Sequence, residues 1–290
     1  MQFYLTAISL GLALSALGWG IFLTLKIFNI PDITTDGSFT LGAAITAVQL
    51  TNGTPWYLVL FCSMLGGGLA GMLTGVIHTR LKVNALLSGI LVMTALYSVN
   101  LMVMGRSNIP LLQVNHLFIA FQPTGASYID QAIILLAIMS IVGLCLIFML
   151  KTDFGLAMRA TGNSESMVNA MGVNTNRMKI IGLALANSLT AFSGSIVAQL
   201  QQFTDINMGI GIVIFGLGSV MIGETLMDVF KRQGIAWRII GVVIGCLIFR
   251  LVIAFTLASG ADPNLLKLIT AGVVLLFVSI PRFKGKIAFR

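Results

Sequence analysis

The chain has 290 residues, of which 57% are hydrophobic and only 9% charged, with a mean hydropathy of +1.00. A soluble domain carries about 25% charged residues, and no soluble interior hides this much apolar surface, so the composition excludes a soluble globular protein and points to the bilayer. The net charge of +8 comes from short basic groups between apolar runs, which excludes a nucleic-acid stripe and suits membrane orientation.

Nine apolar segments follow in order, at about 4–27, 39–51, 56–78, 83–104, 130–150, 177–200, 208–223, 236–257 and 264–281. Most approach the roughly 20 residues that cross hydrocarbon as a helix. The reading is an all-α polytopic membrane protein, a single transmembrane domain over 1–290, with the second and seventh segments short or broken. Basic residues set the orientation. His78, Arg80 and Lys82, then Lys151, Arg159, Arg177 and Lys179, then Lys231, Arg232 and Arg238, and last Arg282, Lys284, Lys286 and Arg290 all fall on one side after nine crossings. With that side cytoplasmic, the N-terminus is outside and the C-terminus inside. Nothing at the start resembles a cleaved secretory signal.

Small residues recur every four positions: Ala7, Gly11 and Ser15 in the first segment, Gly67, Gly71 and Gly75 in the third, and Gly182, Ala186, Thr190 and Gly194 in the sixth. Such stripes let helices approach closely, within one bundle or across a subunit interface. Cys62, Cys145 and Cys246 sit in apolar segments without ligand spacing and read as packing residues. The outer loop 105–129 has room for a short helix at the outer mouth, with His116 at its surface.

The stretch FNIPDITTDGSFTLGAA (28–44) breaks the apolar pattern early. Pro31 stops the first helix, and Thr35, Asp36 or Ser38 suits the N-terminus of the next. Asp32, Thr35, Asp36 and Ser38 are candidates for the pathway or its gate, or for a proton relay. FTDINMGIGIVIFGLGSVMIG (203–223) echoes this stretch, with Asp205 and Asn207 ahead of a short glycine-bearing helix. The expectation is an inverted repeat, with halves 1–104 and 177–281 joined by the helix 130–150. Arg250, inside the eighth segment, snorkels, pairs, or meets an anionic or carboxylate substrate. Asn84, Asn100, Asn187 and Gln199 are weaker polar candidates.

The inner connection 151–179 is too long for a turn. Asn163 or Ser164 caps a short helix with Glu165 in its first turn and Gly172 at its end, presenting Met167, Val168 and Met171 as an apolar ridge. It docks a partner or lies on the bilayer. No phosphate loop, HExxH or nucleophile–base pair is present, so no catalytic residue, metal site or cofactor site is assigned.

FNIPDITTDGSFTLGAA (28–44), GLAMRATGNSESMVNAMGVNTNRMK (155–179), LANSLTAFSGSI (185–196) and FGLGSVMIGE (215–224), in that order, resemble the membrane permease subunit of a bacterial ABC importer of the branched-chain amino acid and ribose type. The resemblance implies a complex of two permease copies, two cytoplasmic subunits that bind ATP and Mg, and an extracytoplasmic binding protein, in the plasma membrane (the inner membrane of a Gram-negative cell). It implies no enzymatic activity in this chain. The loop helix would seat in the ATPase, with Arg159, Glu165 and Met171 as leading contacts beside Asn163, Met167, Val168 and Gly172, and would drive alternating access. An amino acid is the expected cargo, with a nucleoside or sugar as alternatives. A proton- or sodium-coupled secondary transporter using Asp32, Asp36 or Asp205, and a channel or assembly protein, are the competing classes. The acidic TTDG departs from the turn usual in amino-acid members, and the extra N-terminal crossing of ribose-type members is not expected here.

Overall fold

A computed structural model of the chain describes residues 2–112, 114–120, 127–232, 234–260, 265 and 268–275. Seven helices among them are long and apolar enough to cross a membrane: Gln2–Ile27, Trp56–Arg80, Ala85–Met104, Tyr128–Lys151, Thr175–Gln201, Ile212–Val229 and Ile235–Ala258. The second expected segment is a helix too polar to count with these, and of the ninth residues 268–275 are described and helical, while the basic tail lies outside the described residues. The expected nine thus appear as seven apolar spans, one polar helix and the helical stretch 268–275 of the ninth among the described residues.

The first span joins α1 (Gln2–Ala13), α2 (Ser15–Phe22) and a π-helical turn, Leu23–Ile27. Its ladder continues across Leu14, whose N–H bonds Leu10 and whose carbonyl accepts from Gly18. A wider turn of this kind recurs at functional sites, and here it releases the chain towards Pro31. The second element, α3 (Thr34–Thr51), starts five residues earlier than its hydropathy suggests. Every residue from Thr34 to Ala44 is buried. A helix without a polar outer face belongs in the middle of a bundle, and α3 lies between α4 (Trp56–Arg80), α5 (Ala85–Met104) and α10 (Thr175–Gln201). Thr34 pairs with Thr74, six residues or about 9 Å of rise before α4 ends, so α3 begins inside the bundle.

The small-residue stripes close this core. A Cβ on Gly75 would stand 2.8 Å from the Ile180 backbone, and those on Gly67 and Gly71 would enter the α10 backbone at Asn187 and Leu183. Gly194 meets Phe39 and Gly11 meets Leu247 in the same way. All three stripes are therefore consumed inside one chain, and none is free to join two copies.

The two ends of the bundle differ. A two-stranded antiparallel ribbon, β1 (Asn108–Pro110) with β2 (Phe203–Asp205), pairs Ile109 with Thr204 and ties the chain leaving α5 to the chain leaving α10. It is a small departure from an all-α fold. Beside it α6 (Leu117–Ala120) fills the role expected of a short loop helix, held by the Leu117 N–H to Gln199 Oε1 at 3.0 Å. His116, expected at the surface, is 1% exposed, because this loop folds onto the end of α10. At the other end, α7 (Ser127–Lys151) leads into α8 (Asp153–Asn163) and α9 (Glu165–Ala170). α11 (Ile212–Val229) and α12 (Ile235–Ala258) follow, and the helical stretch 268–275 packs Val273 and Val274 on the core.

Candidate functional site

The residues singled out in the sequence fall into three places. The first is the connection between α7 and α10. Thr152 caps α8 by accepting from the Gly155 N–H at 3.4 Å. The chain extends at Ser164 (φ −155°, ψ 100°) and turns into α9, so of the two expected starts it is Ser164 that stands at the N-terminus, with Glu165 in the first turn as expected, while Asn163 closes α8. The α9 stop is a Schellman motif: the Val173 N–H reaches Val168 O at 3.2 Å, and the Gly172 N–H reaches Asn169 O at 3.0 Å. Gly172 takes φ +84°, the left-handed conformation that this motif gives to glycine. Val168 is buried, whereas Met167 and Met171 are 62% and 71% exposed. The expected ridge is thus divided: Val168 anchors the helix and the two methionines project. Glu165 forms an ion pair with Lys179 at the start of α10. Arg159 bonds within its helix to Gly155 O at 3.4 Å. With Asn163, Lys26 and Arg238 it lines a cleft of about 490 Å³. Glu224 of α11 lies between Lys26 and Arg238 and pairs with both.

The second place is the middle of the bundle. Asp32 accepts from the Thr34 N–H at 2.8 Å and, through its other oxygen, from Asn187 Nδ2 at 2.7 Å. The Asn187 carbonyl oxygen accepts from Ser38 at 2.7 Å. These side chains are buried, with all of the polar atoms named here paired, and they join α3 to the midpoint of α10. Thr35 bonds back to Asp32 O at 3.3 Å. Asp36 does cap a helix, but not its own. Its Oδ2 accepts from the Gly211 N–H at 2.9 Å and its Oδ1 from the Val213 N–H at 3.0 Å, closing the first turn of α11 from 175 residues away. The charge also meets the positive end of that helix dipole. Asn187 was the weaker candidate in sequence and becomes the hinge of this network. Its signal was a lone amide in an apolar run. Thr34 was read only as part of the polar turn ahead of the second segment, and Thr74 was not picked out, since threonines in membrane helices commonly bond their own backbone.

The third place is a cavity of about 310 Å³ at the ribbon end, between the Leu14 junction, α3, the end of α10, the 203–211 loop and α12. It contains Asp205, Asn207 and Arg250, with Phe39, Phe203 and Met208 as apolar wall. Asp205 does not cap α11. Its Oδ1 accepts from the Asn207 N–H at 2.8 Å and shapes the loop. The Arg250 guanidinium stands 5.9 Å from the Phe215 ring centroid, and its buried Nε has no hydrogen-bond partner among the described residues. A narrower apolar cleft of about 200 Å³ between α1 and α12 touches the other side of Arg250. The seven pathway candidates thus divide into a hydrogen-bonded central network and a cavity at the ribbon end. No group of three His, Cys, Asp or Glu able to hold a metal occurs among the described residues.

Residues 2–279 match the family described as the permease component of branched-chain amino acid transport systems. The chain is 38% identical over 279 residues to a tyrosine transport system permease protein of Clostridioides difficile, covering 96% of this chain and 91% of that one. It is 31% identical to an uncharacterised protein of Rickettsia prowazekii, covering 98% and 99%, and 27% identical to a ribose import permease of Haemophilus influenzae, covering 75% and 66%. The fold is shared with a solved metal-chelate type ABC transporter in an inward-facing conformation, at a TM-score of 0.54 and 15% identity over 97% of this chain and 85% of that one. With its apolar spans, its buried polar core and a match running nearly end to end, the chain is a multi-pass protein of the bacterial inner membrane and belongs to the ABC transporter permease family of branched-chain amino acid type.

Proposed function

We propose that this chain is the membrane subunit of an ATP-driven importer that receives an amino acid from an extracytoplasmic binding protein and passes it inward by alternating access. The observation that carries the reading is α9: a short helix in a loop between spans, fastened by Val168, the Schellman turn and the Glu165–Lys179 pair, that projects Met167 and Met171. Rigid support beneath adaptable apolar side chains suits docking into a groove of another subunit. In this reading two permease copies and two ATPases assemble, and ATP and Mg bind only on the ATPases. The basic end, with Lys26, Arg159 and Arg238, faces the cytoplasm, and the ribbon end faces out. Nine crossings, an external N-terminus and an internal C-terminus follow. Residues 1–104 and 177–281 are the inverted halves. Support comes from α3 and α11, each 18 residues long and each following a long buried rod.

Proton or sodium coupling has weaker support. Both oxygens of Asp32 and both of Asp36 accept hydrogen bonds from buried protein donors, which gives each acid a structural role without an ion. The relative named for tyrosine favours an amino acid, and the ribose relative, at lower identity and coverage, keeps a sugar as the second cargo. The test is expression of the tagged permease with its ATPase and binding protein, followed by co-purification, ATP hydrolysis and tyrosine uptake. The double variant Met167→Asp, Met171→Asp should lose the ATPase and uptake while remaining folded in the membrane. Uptake that persists without any associated ATPase would overturn the reading.

A further inference from the structure

The outer cavity holds an acid and a base that are not paired with each other. Asp205 and Arg250 both line the same space of about 310 Å³, and the ion pairs among the described residues do not include them. A guanidinium within a membrane helix is costly without a partner, and Arg250 retains a buried, unbonded Nε. The Phe215 ring holds it from one side and supplies no acceptor. Asp205 is fixed at one oxygen by the Asn207 N–H. Its other oxygen has no partner among the described residues.

We propose that this cavity is a solute subsite for a single free α-amino acid with a large apolar side chain, its carboxylate on Arg250 and its ammonium on Asp205. The inference rests on the importer reading and names the cargo chemistry of its pathway. A zwitterion satisfies both residues at once, because its carboxylate matches the guanidinium fork and its ammonium supplies the donors that Asp205 lacks. An uncharged sugar leaves Arg250 unpaired, and an anion without an ammonium group places two negative charges near one another. The space is at the small end of ligand cavities, enough for one amino acid and too small for a peptide. Phe39, Phe203 and Met208 form an apolar wall that suits a ring or a long aliphatic chain. Ile212, in the first turn of α11, also lines the cavity, so the subsite borders the turn that Asp36 clasps.

The test uses the purified full chain in lipid nanodiscs, without ATPase, and measures saturable binding of L-tyrosine, tyramine, 3-(4-hydroxyphenyl)propionate, alanine and ribose. Tyrosine is expected to bind, and each analogue lacking one charge should bind about ten- to hundred-fold more weakly, the range for a lost charged hydrogen bond. Alanine should be weaker than tyrosine, and ribose should not bind. Arg250→Gln should lose tyrosine affinity by at least about ten-fold. Asp205→Asn should bring tyrosine and the deaminated acid close to equal affinity. The analogue series on the unaltered protein keeps the test decisive even where Arg250→Gln misfolds. Equal binding of tyrosine and either truncated analogue, saturable ribose binding, or no saturable tyrosine binding would overturn the subsite. Loss of ATPase association instead sinks the importer reading and leaves these measurements standing.

Discussion

Replacement of Asp36 by alanine tests whether α11 is held at its start by a side chain from the other half of the molecule. Asp36 is 7% exposed, and its carboxylate accepts two backbone N–H groups, from Gly211 at 2.9 Å and Val213 at 3.0 Å. A hydrogen bond to a charged group contributes about 1.5–3 kcal/mol, and two donors of a buried first turn would lose their acceptor together. Asp36→Ala is therefore expected to cost about 3–5 kcal/mol, with incomplete additivity already allowed. Asp36→Asn retains one acceptor oxygen and should cost about half as much. Denaturation of the purified protein by SDS in mixed micelles measures the loss. Hydrogen exchange on a peptide covering 209–215 locates it, since the amides of Gly211 and Val213 should exchange faster while the centre of α10 stays protected. An alanine variant within about 1 kcal/mol of the parent, with unchanged exchange at 209–215, would refute the clasp.

Three further outcomes follow from the same geometry. Asn187→Leu removes the donor to Asp32 and the acceptor for Ser38, leaving a buried carboxylate underbonded, and should destabilise the chain by about 3–5 kcal/mol in the same assay; Asn187→Ala at no cost would sink the network. Gly71→Val should block close packing of α4 on the Leu183 backbone and abolish accumulation of folded protein, whereas Gly53→Ala, at an open turn with φ +79°, should cost only about 1 kcal/mol. His116 gives a pH dependence. Burial lowers its pKa from 6.5, so the unfolded chain takes up the proton first as pH falls. The stability contributed by neutral His116 is complete above about 6.5 and declines below it. Melting temperatures from pH 7.5 to 5 should fall more for the parent than for His116→Phe, and parallel curves would count against a buried neutral ring.

Much of the fold was legible because hydropathy reports what meets lipid. The spans expected at 56–78, 83–104, 177–200 and 236–257 differ from the observed helices by at most two residues at either end. The second helix was read as starting at Phe39 because Thr34, Thr35, Asp36 and Ser38 look like loop. They are helical because the interior supplies their partners: Thr74, the first turn of α11 and Asn187. Hydropathy has no access to such long-range pairing. For the same reason the acid at 36 was legible as a helix cap but not as the cap of a helix beginning at 212. The start of α9 at Ser164 was legible as a cap, whereas the separate helix α8 ahead of it was not read. The cavity at the ribbon end was legible only as separate candidates, Asp205, Asn207 and Arg250. Their meeting depends on the path of the loop between α10 and α11.

Gly162 bears on how force would cross this molecule. It sits directly against the Ile27 carbonyl and the Phe28 backbone, where α8 rests on the π-helical turn, and Asn29 holds the Gly162 carbonyl at 3.1 Å. Side chains at most helix contacts act as springs, because a rotamer change absorbs a small shift before the backbone feels it. Here backbone bears on backbone, with no such compliance. A push on the Met167–Met171 face would pass along α8 into the foot of the first span with little lost motion, and the wide turn at Leu23–Ile27 is the joint that would bend.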